Sequence, residues 1–292
     1  MTLLRLITPR LARLTSTSTF RNFTMSYGPK AAERIAGKTV LITGASSGIG
    51  AATARELADA SGGSLRLILT ARRVDRLNEL KQELTSKYSS VEVLAQALDI
   101  SKHAEVPKFV DSLPSEWQDI DVLINNAGMV HGVEKVGEIK SSDVEVMFNT
   151  NVLGLIALTQ SIVPRFKAKG SGDIVNIGSI AGLDPYPGGA IYCATKAALR
   201  SFTHSLRKET IDTRIRVMEI QPGAVETEFS IVRFRGDKSK ADAVYAGTEP
   251  LVAEDIAEVI TFNLTRRQNT VIADTLVFPS HQASASHIHR KN

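Results

Sequence analysis

From residue 38 onward the chain alternates short, nearly continuous apolar runs with longer stretches in which apolar residues recur every three or four positions. Runs such as VLIT, LILT and VLIN are apolar at consecutive positions, as strands are when both faces of a parallel sheet are covered. The pattern predicts strands over 38–43, 65–70, 91–98, 122–125, 173–177, 216–221 and 275–278, with amphipathic helices between them. Seven strands alternating with helices make an α/β fold: a doubly wound, seven-stranded parallel sheet with helices on both faces. No internal repeat is present, and one domain over 30–292 accounts for the body of the chain. The stretch 229–250 breaks the pattern, being polar and rich in Arg and Lys between a strand end and the next helix. An insertion there lies over the carboxyl ends of the strands, where it reads as a substrate lid or as a solvated loop.

Composition sets the class. With 292 residues, 43% hydrophobic and 23% charged, the chain can bury a large core without staples. The single cysteine, Cys193, excludes an intramolecular disulfide and suits a reducing compartment, where it reads as a small buried filler. The net charge of +4 belongs to the first thirty residues, which hold Arg5, Arg10, Arg13, Arg21 and Lys30 and no acid. The body is near neutral, which argues against a nucleic-acid partner. Residues 1–25 are rich in Arg, Ser and Thr, with leucines on one helical face, as in a mitochondrial transit peptide. The other reading is an upstream extension with translation from Met25 and a cytoplasmic product. The apolar runs of this leader are too short and interrupted to span a bilayer.

Candidate chemistry begins after the first strand, where Gly44, Ser46, Ser47, Gly48, Ile49 and Gly50 lie in TGASSGIG. Glycines there allow a tight turn and close approach to a pyrophosphate, whose charge the following helix favours. At the end of the second strand a carboxylate would select NAD by binding the adenosine ribose. Arg72 and Arg73 stand there instead, suiting the 2′-phosphate of NADP, with Arg72 the better placed and Arg73 equally readable as solvent-facing. Asp99 is placed to cap a helix or to meet the adenine. Asn126, Ala127 and Gly128 end the fourth strand with small residues that admit a ribose. Tyr192 and Lys196, four apart on a helix, share a face, so the ammonium can lower the phenol's pKa and make it a proton carrier. Ser179 is placed to hold a substrate oxygen. Three histidines, His281, His287 and His289, lie in a polar tail without companion cysteines, so no metal site is expected.

TGASSGIG, Asp99, NNAG, Asn151, Ser179, Tyr192 to Lys196, and Pro222-Gly223 with Thr227 together resemble the short-chain dehydrogenase/reductase family, across residues 38 to about 278. That resemblance implies a Rossmann-type fold in which Tyr192 is the general acid/base and Lys196 binds the nicotinamide ribose. It also implies that Asn151 holds a water in a proton relay, and that Pro222, Gly223, Val225 and Thr227 border the nicotinamide. The segments TEFS at 227–230, VRF at 232–234 and RQNTVIADT at 267–275, with Met25-Ser26 and KAAER at 30–34, are similar to fungal NADP-dependent 3-hydroxy acid dehydrogenases. This narrower resemblance implies oxidation of serine, L-allo-threonine and similar hydroxy acids. A homotetramer is implied too, through the long helices after Ser142 and Tyr192.

An acid substrate needs a cation near its carboxylate, and Arg233 or Arg235 could supply it from the lid. The rival enzymatic reading is a broad carbonyl reductase of neutral ketones and aldehydes. A rival of another class is a catalytically silent NADP-binding sensor, against which the intact Ser179, Tyr192 and Lys196 argue.

Overall fold

The computed structural model describes residues 29–291, so the leader reading and the Met25-Ser26 resemblance lie outside the described residues. A first helix, α1 (Pro29–Ile35), precedes β1 (Thr39–Thr43), α2 (Gly48–Ala60), β2 (Arg66–Ala71), α3 (Val74–Lys87) and β3 (Glu92–Ala97). There follow α4 (Val106–Asp111), β4 (Val122–Asn125), α5 (Ser141–Phe148), a π-helical turn (Asn149–Gly154), α6 (Leu155–Lys169) and β5 (Ser171–Ile177). The chain ends with α7 (Ala190–Glu209), β6 (Arg214–Pro222), α8 (Glu228–Arg233), α9 (Lys238–Tyr245), α10 (Ala253–Leu264) and β7 (Asp274–Val277). All seven expected strands are present, each within two residues of its expected ends.

The strands pair in parallel in the order β3-β2-β1-β4-β5-β6-β7. The chain starts in the middle of the sheet, winds outward to β3, then returns to β4 and winds the other way. The loops leaving β1 and β4 therefore diverge, opening a crevice at the carboxyl ends of the strands.

Alternate strand residues face opposite layers. Val40, Ile42, Leu67, Leu69 and Ile124 pack against Leu57 of α2, Leu77 of α3 and Ile256 and Ile260 of α10. Leu41, Ile68, Leu123, Ile174 and Val217 pack against Val106 of α4, Leu158, Ile162 and Phe166 of α6 and Leu206 of α7. Each fully buried aliphatic side chain contributes about 1.5–3 kcal/mol. Burial on both faces is the reason the strands read as unbroken apolar runs. Between β5 and β6, Arg216 forms a buried, two-pronged pair with Asp173 at 2.6 and 2.8 Å, and Lys38 reaches the same carboxylate at 2.9 Å.

The continuous helical run Ser141–Lys169 is long and apolar enough by composition to cross a membrane. Here Leu155, Leu158, Ile162 and Phe166 bury its apolar face within the fold.

The stretch 229–250 is not a plain loop. Thr227 caps α8 by accepting from the Phe229 backbone N–H at 3.3 Å, and Asp237 caps α9 by accepting from Lys240 at 3.1 Å. Between the two helices Arg235 and Gly236 take φ of 55° and 94°, and this left-handed pair turns the chain. Helical caps hidden in a polar stretch account for the difference from the expected loop.

Candidate active site

A cavity of about 540 Å³ opens at the carboxyl ends of β1, β4, β5 and β6. At one end is the glycine turn, where Gly44 and Gly48 have positive φ of 68° and 53°. A Cβ on Gly50 would stand 2.6 Å from both the Gly44 carbonyl oxygen and Asn126 Nδ2, so only glycine allows this approach. Asn126 Nδ2 donates to the carbonyls of Thr43 and Gly44 at 2.8 and 3.3 Å. Thr43 Oγ1 accepts from the backbone N–H groups of Asn126 and Ala127 at 3.0 Å each. Asn126 and Ala127 thus brace the turn, and Ile49 packs beneath it on the core.

The rim of this end is cationic. Arg73 Nε and Nη2 donate to Ser46 Oγ at 3.2 and 3.1 Å, and Nη2 donates to Ser47 Oγ at 2.6 Å. Arg73 is about half exposed to solvent while its guanidinium also lies across the turn. Arg72 is exposed, lines the cavity and has no side-chain partner among the described residues. Asp99 also lines the cavity; its Oδ1 accepts from Ser101 N and Oγ at 3.1 and 2.6 Å, so it closes a local turn rather than capping a helix. Backbone amides opening α2, two hydroxyls and two guanidiniums form a donor set that fits a phosphorylated dinucleotide. Gly44 to Gly50, Arg72, Arg73, Asp99 and Gly128 would hold its adenosine half.

At the other end, α7 carries Tyr192 and Lys196 and the β5 end carries Ser179, all buried and all lining the cavity. Ser179 caps a short 3₁₀ turn, its Oγ accepting from Ala181 N at 3.1 Å, and it lies near enough to the Tyr192 phenol to influence its titration. The Lys196 ammonium donates to the Ile177 carbonyl at 2.7 Å and lies 5.8 Å from the centre of the Tyr192 ring. Burial pushes Lys196 down to about 8, opposed by the Glu219 carboxylate. Burial likewise pushes the Tyr192 phenol up, opposed by Ser179 and Arg233. This corrects the expectation that Lys196 sets the phenol below its ordinary value: desolvation outweighs an ammonium that is itself bonded elsewhere. A neutral phenol at the cavity wall is a proton donor.

Asn151 lies in the π turn, with its side chain fully engaged. Its Oδ1 accepts from Met129 N at 2.8 Å, and its Nδ2 donates to Met129 O at 2.8 Å and Thr195 Oγ1 at 3.1 Å. A relay water held here would use the main chain, since a π turn shifts the i→i−4 ladder and frees carbonyls. Gly128 lies between the parts: its Cβ would be 3.6 Å from Asn151 Oδ1 and 3.7 Å from Lys196 Nζ.

Pro222, Gly223, Val225 and Thr227 line the cavity past β6. The loop is fixed by Gln282, whose Oε1 accepts from Ala224 N at 2.8 Å, and by Tyr245, which donates to the Val225 carbonyl at 2.8 Å. Phe229 of α8 meets the Tyr192 ring edge-on, centroids 5.6 Å apart. Arg233 enters the cavity, donating to Tyr186 Oη at 3.3 Å and the Gly188 carbonyl at 3.2 Å, while its Nε is buried without a partner. Arg235 does not join it. It pairs with Asp143 at 2.7 Å and Glu134 at 3.7 Å and does not line the cavity, so it anchors the turn between α8 and α9.

Sequence reasoning left out Tyr186, Tyr245, Gln282 and Glu228, which line the cavity. Tyr245 and Gln282 are brought there by the packing of α9 and the C-terminal tail, which no local spacing signals, while Glu228 and Tyr186 lie beside Thr227 and just before Tyr192 without a motif of their own. In that tail His281 and His289 stack, centroids 5.7 Å apart. His204, Glu219 and Asp274 form a metal-like group, yet none lines the cavity, and Asp274 is bonded to His204 at 2.8 Å.

Residues 38–237 match the family described as short chain dehydrogenase. The NADP-dependent 3-hydroxy acid dehydrogenase of Schizosaccharomyces pombe is 58% identical over 258 residues, which cover 88% of this chain and 98% of that one. Sulfoacetaldehyde reductase 2 of Chromohalobacter salexigens is 40% identical, covering 84% of this chain and 95% of that one. Among solved structures, the closed form of serine dehydrogenase complexed with NADP+ superposes with a TM-score of 0.79 at 38% identity, covering 87% of this chain and all of that one.

Proposed function

This chain belongs to the short chain dehydrogenase family, and on that footing we propose that it is an NADP-dependent oxidoreductase that oxidises the 3-hydroxyl of small 3-hydroxy acids such as serine, reversibly. The bound nicotinamide supplies the hydride acceptor, or in its reduced form the donor. The protein's own part is placement and proton transfer. Ser179 holds the reacting oxygen, and Tyr192 Oη takes or returns its proton. The raised phenol suits donation in the reductive direction. In oxidation the proton leaves past Lys196 toward the Asn151 main chain.

The observation that carries the substrate class is Arg233. It is a guanidinium inside the cavity, close enough to Tyr192 to oppose the upward shift of its phenol, with a buried donor unpaired. A carboxylate two carbons from the reacting hydroxyl would satisfy it. A hydrogen bond to a charged group contributes about 1.5–3 kcal/mol. Arg233→Gln should therefore raise KM for L-serine roughly 10- to 150-fold, with a much smaller effect on reduction of an uncharged diketone. Equal losses for both substrates would overturn the hydroxy-acid reading in favour of a general carbonyl reductase.

In this reading the enzyme is a cytoplasmic homotetramer started at Met25. The resemblance to the fungal enzymes begins at that residue, and Leu153, on the long helical run, is an exposed apolar residue available for contact. Light scattering and fractionation of the tagged full chain test these two points.

A further inference from the structure

Glu228 opens α8 at the mouth of the cavity, where it holds two arginines of the phosphate end. Its Oε2 accepts from Arg73 Nη1 at 2.8 Å and its Oε1 from Arg76 Nη1 at 2.5 Å. Arg76, then Arg73 and Ser47, hold this carboxyl down at about 2. The groups are roughly half exposed, and as a surface pair they would contribute little. Their position gives them a different role. The same Arg73 guanidinium lies on Ser46 and Ser47, and Arg72 beside it has no partner among the described residues. Two of these guanidiniums, Arg73 and Arg76, thus share one carboxylate while Arg72 has none, and a 2′-phosphate would bring a further charge of about −1.5 to −2. Phosphate and Glu228 together balance the three cations, with Arg73 shared between them.

The other end of α8 is in the substrate site. Its second residue, Phe229, packs on the Tyr192 ring, and its last, Arg233, reaches the cavity. A six-residue helix therefore joins the phosphate arginines to the proton donor and the candidate carboxylate cation. From this geometry, and resting on the NADP reading above, we propose that Glu228 is a positioning residue that couples recognition of the cofactor's 2′-phosphate to the seating of α8 over the substrate. Because coupling between two sites is reciprocal, the phosphate tightens the substrate site and substrate favours the phosphorylated cofactor. NAD, lacking the phosphate, binds without setting α8.

The test compares wild type, Glu228→Gln and Glu228→Asp with saturating NADP+ and with saturating NAD+. Calorimetry gives the two dissociation constants. Tryptic cleavage after Arg233, Arg235 and Lys238 reports the seating of α8, and KM for L-serine reports the substrate site. In wild type, NADP+ should protect the α8–α9 segment more than NAD+ does and give a KM for L-serine several-fold lower. In Glu228→Gln both differences should collapse while NADP+ still binds more tightly than NAD+, and Glu228→Asp should restore part of each. Equal protection by the two cofactors in wild type, or a Gln variant that keeps the wild-type differences, overturns the coupling alone. A wild type that binds NAD+ as tightly as NADP+ overturns the cofactor reading instead.

Discussion

Replacing Lys196 with Met should stabilise the cofactor-free protein while abolishing turnover. Lys196 is 5% exposed, and burial brings its ammonium from an ordinary 10.5 down to about 8. That gap corresponds to roughly 3 kcal/mol of penalty for holding the charged form in the folded state. Below pH 8 folded and unfolded chains both carry the proton, and the penalty is present in full. Between pH 8 and 10.5 the unfolded chain keeps a proton that the folded chain has lost, so stability rises with pH across that window. Met fills a similar volume without charge, but it forfeits the 2.7 Å bond from the ammonium to the Ile177 carbonyl, worth about 1.5 kcal/mol for a charged donor. The net expectation is a gain of about 1.5 kcal/mol at pH 7, or roughly 3 to 6 °C in Tm, turning into a small deficit by pH 10.5, where the penalty has gone and the lost bond remains. Thermal unfolding followed by circular dichroism at pH 7 and pH 10 measures both values. A variant less stable than wild type at pH 7, or equally more stable at both pH values, would refute the reasoning that Lys196 is held at a cost to the fold.

Two further outcomes follow from the same structure. Tyr192→Phe keeps the ring against Phe229 but removes the proton carrier, so kcat should fall by about 10²- to 10⁴-fold in steady-state assays while NADPH affinity by calorimetry is unchanged. Asp173→Ala leaves Arg216, 2% exposed, without its carboxylate, and should destabilise the protein by about 3–5 kcal/mol in urea unfolding. The double variant Asp173→Leu with Arg216→Met should recover most of that loss; if it is no more stable than the single variant, the buried charge is not the cause.

The order of the short apolar runs sufficed to specify seven parallel strands, because a strand buried on both faces must be apolar at consecutive positions and β1, β2 and β4 obey that rule. The glycine turn was legible for a similar reason. Gly44 and Gly50 stand where any Cβ would strike Ala127 or the Gly44 carbonyl, so chemistry at those positions admits one residue. Ser179, Tyr192, Lys196, Arg72 and Arg73 could be named as candidates from their order along the chain. What they do there depended on the tertiary structure. Arg233 and Arg235 are two residues apart in one basic stretch, and only the turn after α8 sends one into the cavity and the other to Asp143. Sequence spacing suggested that Lys196 governs the Tyr192 phenol, but an i to i+4 spacing fixes only a shared helix face. The phenol's shift follows from desolvation, which is set by every element packed around the ring, Phe229 among them. Glu228 lies more than 150 residues from Arg73, and no local pattern could pair them. The sequence by itself determined the sheet, the glycine turn and the candidate reacting groups, since these rest on local stereochemistry and burial. The tertiary structure alone decided the burial of those groups, which lid arginine enters the cavity and the pairing of Arg73 with Glu228, because contacts through space join segments the chain brings together only on folding.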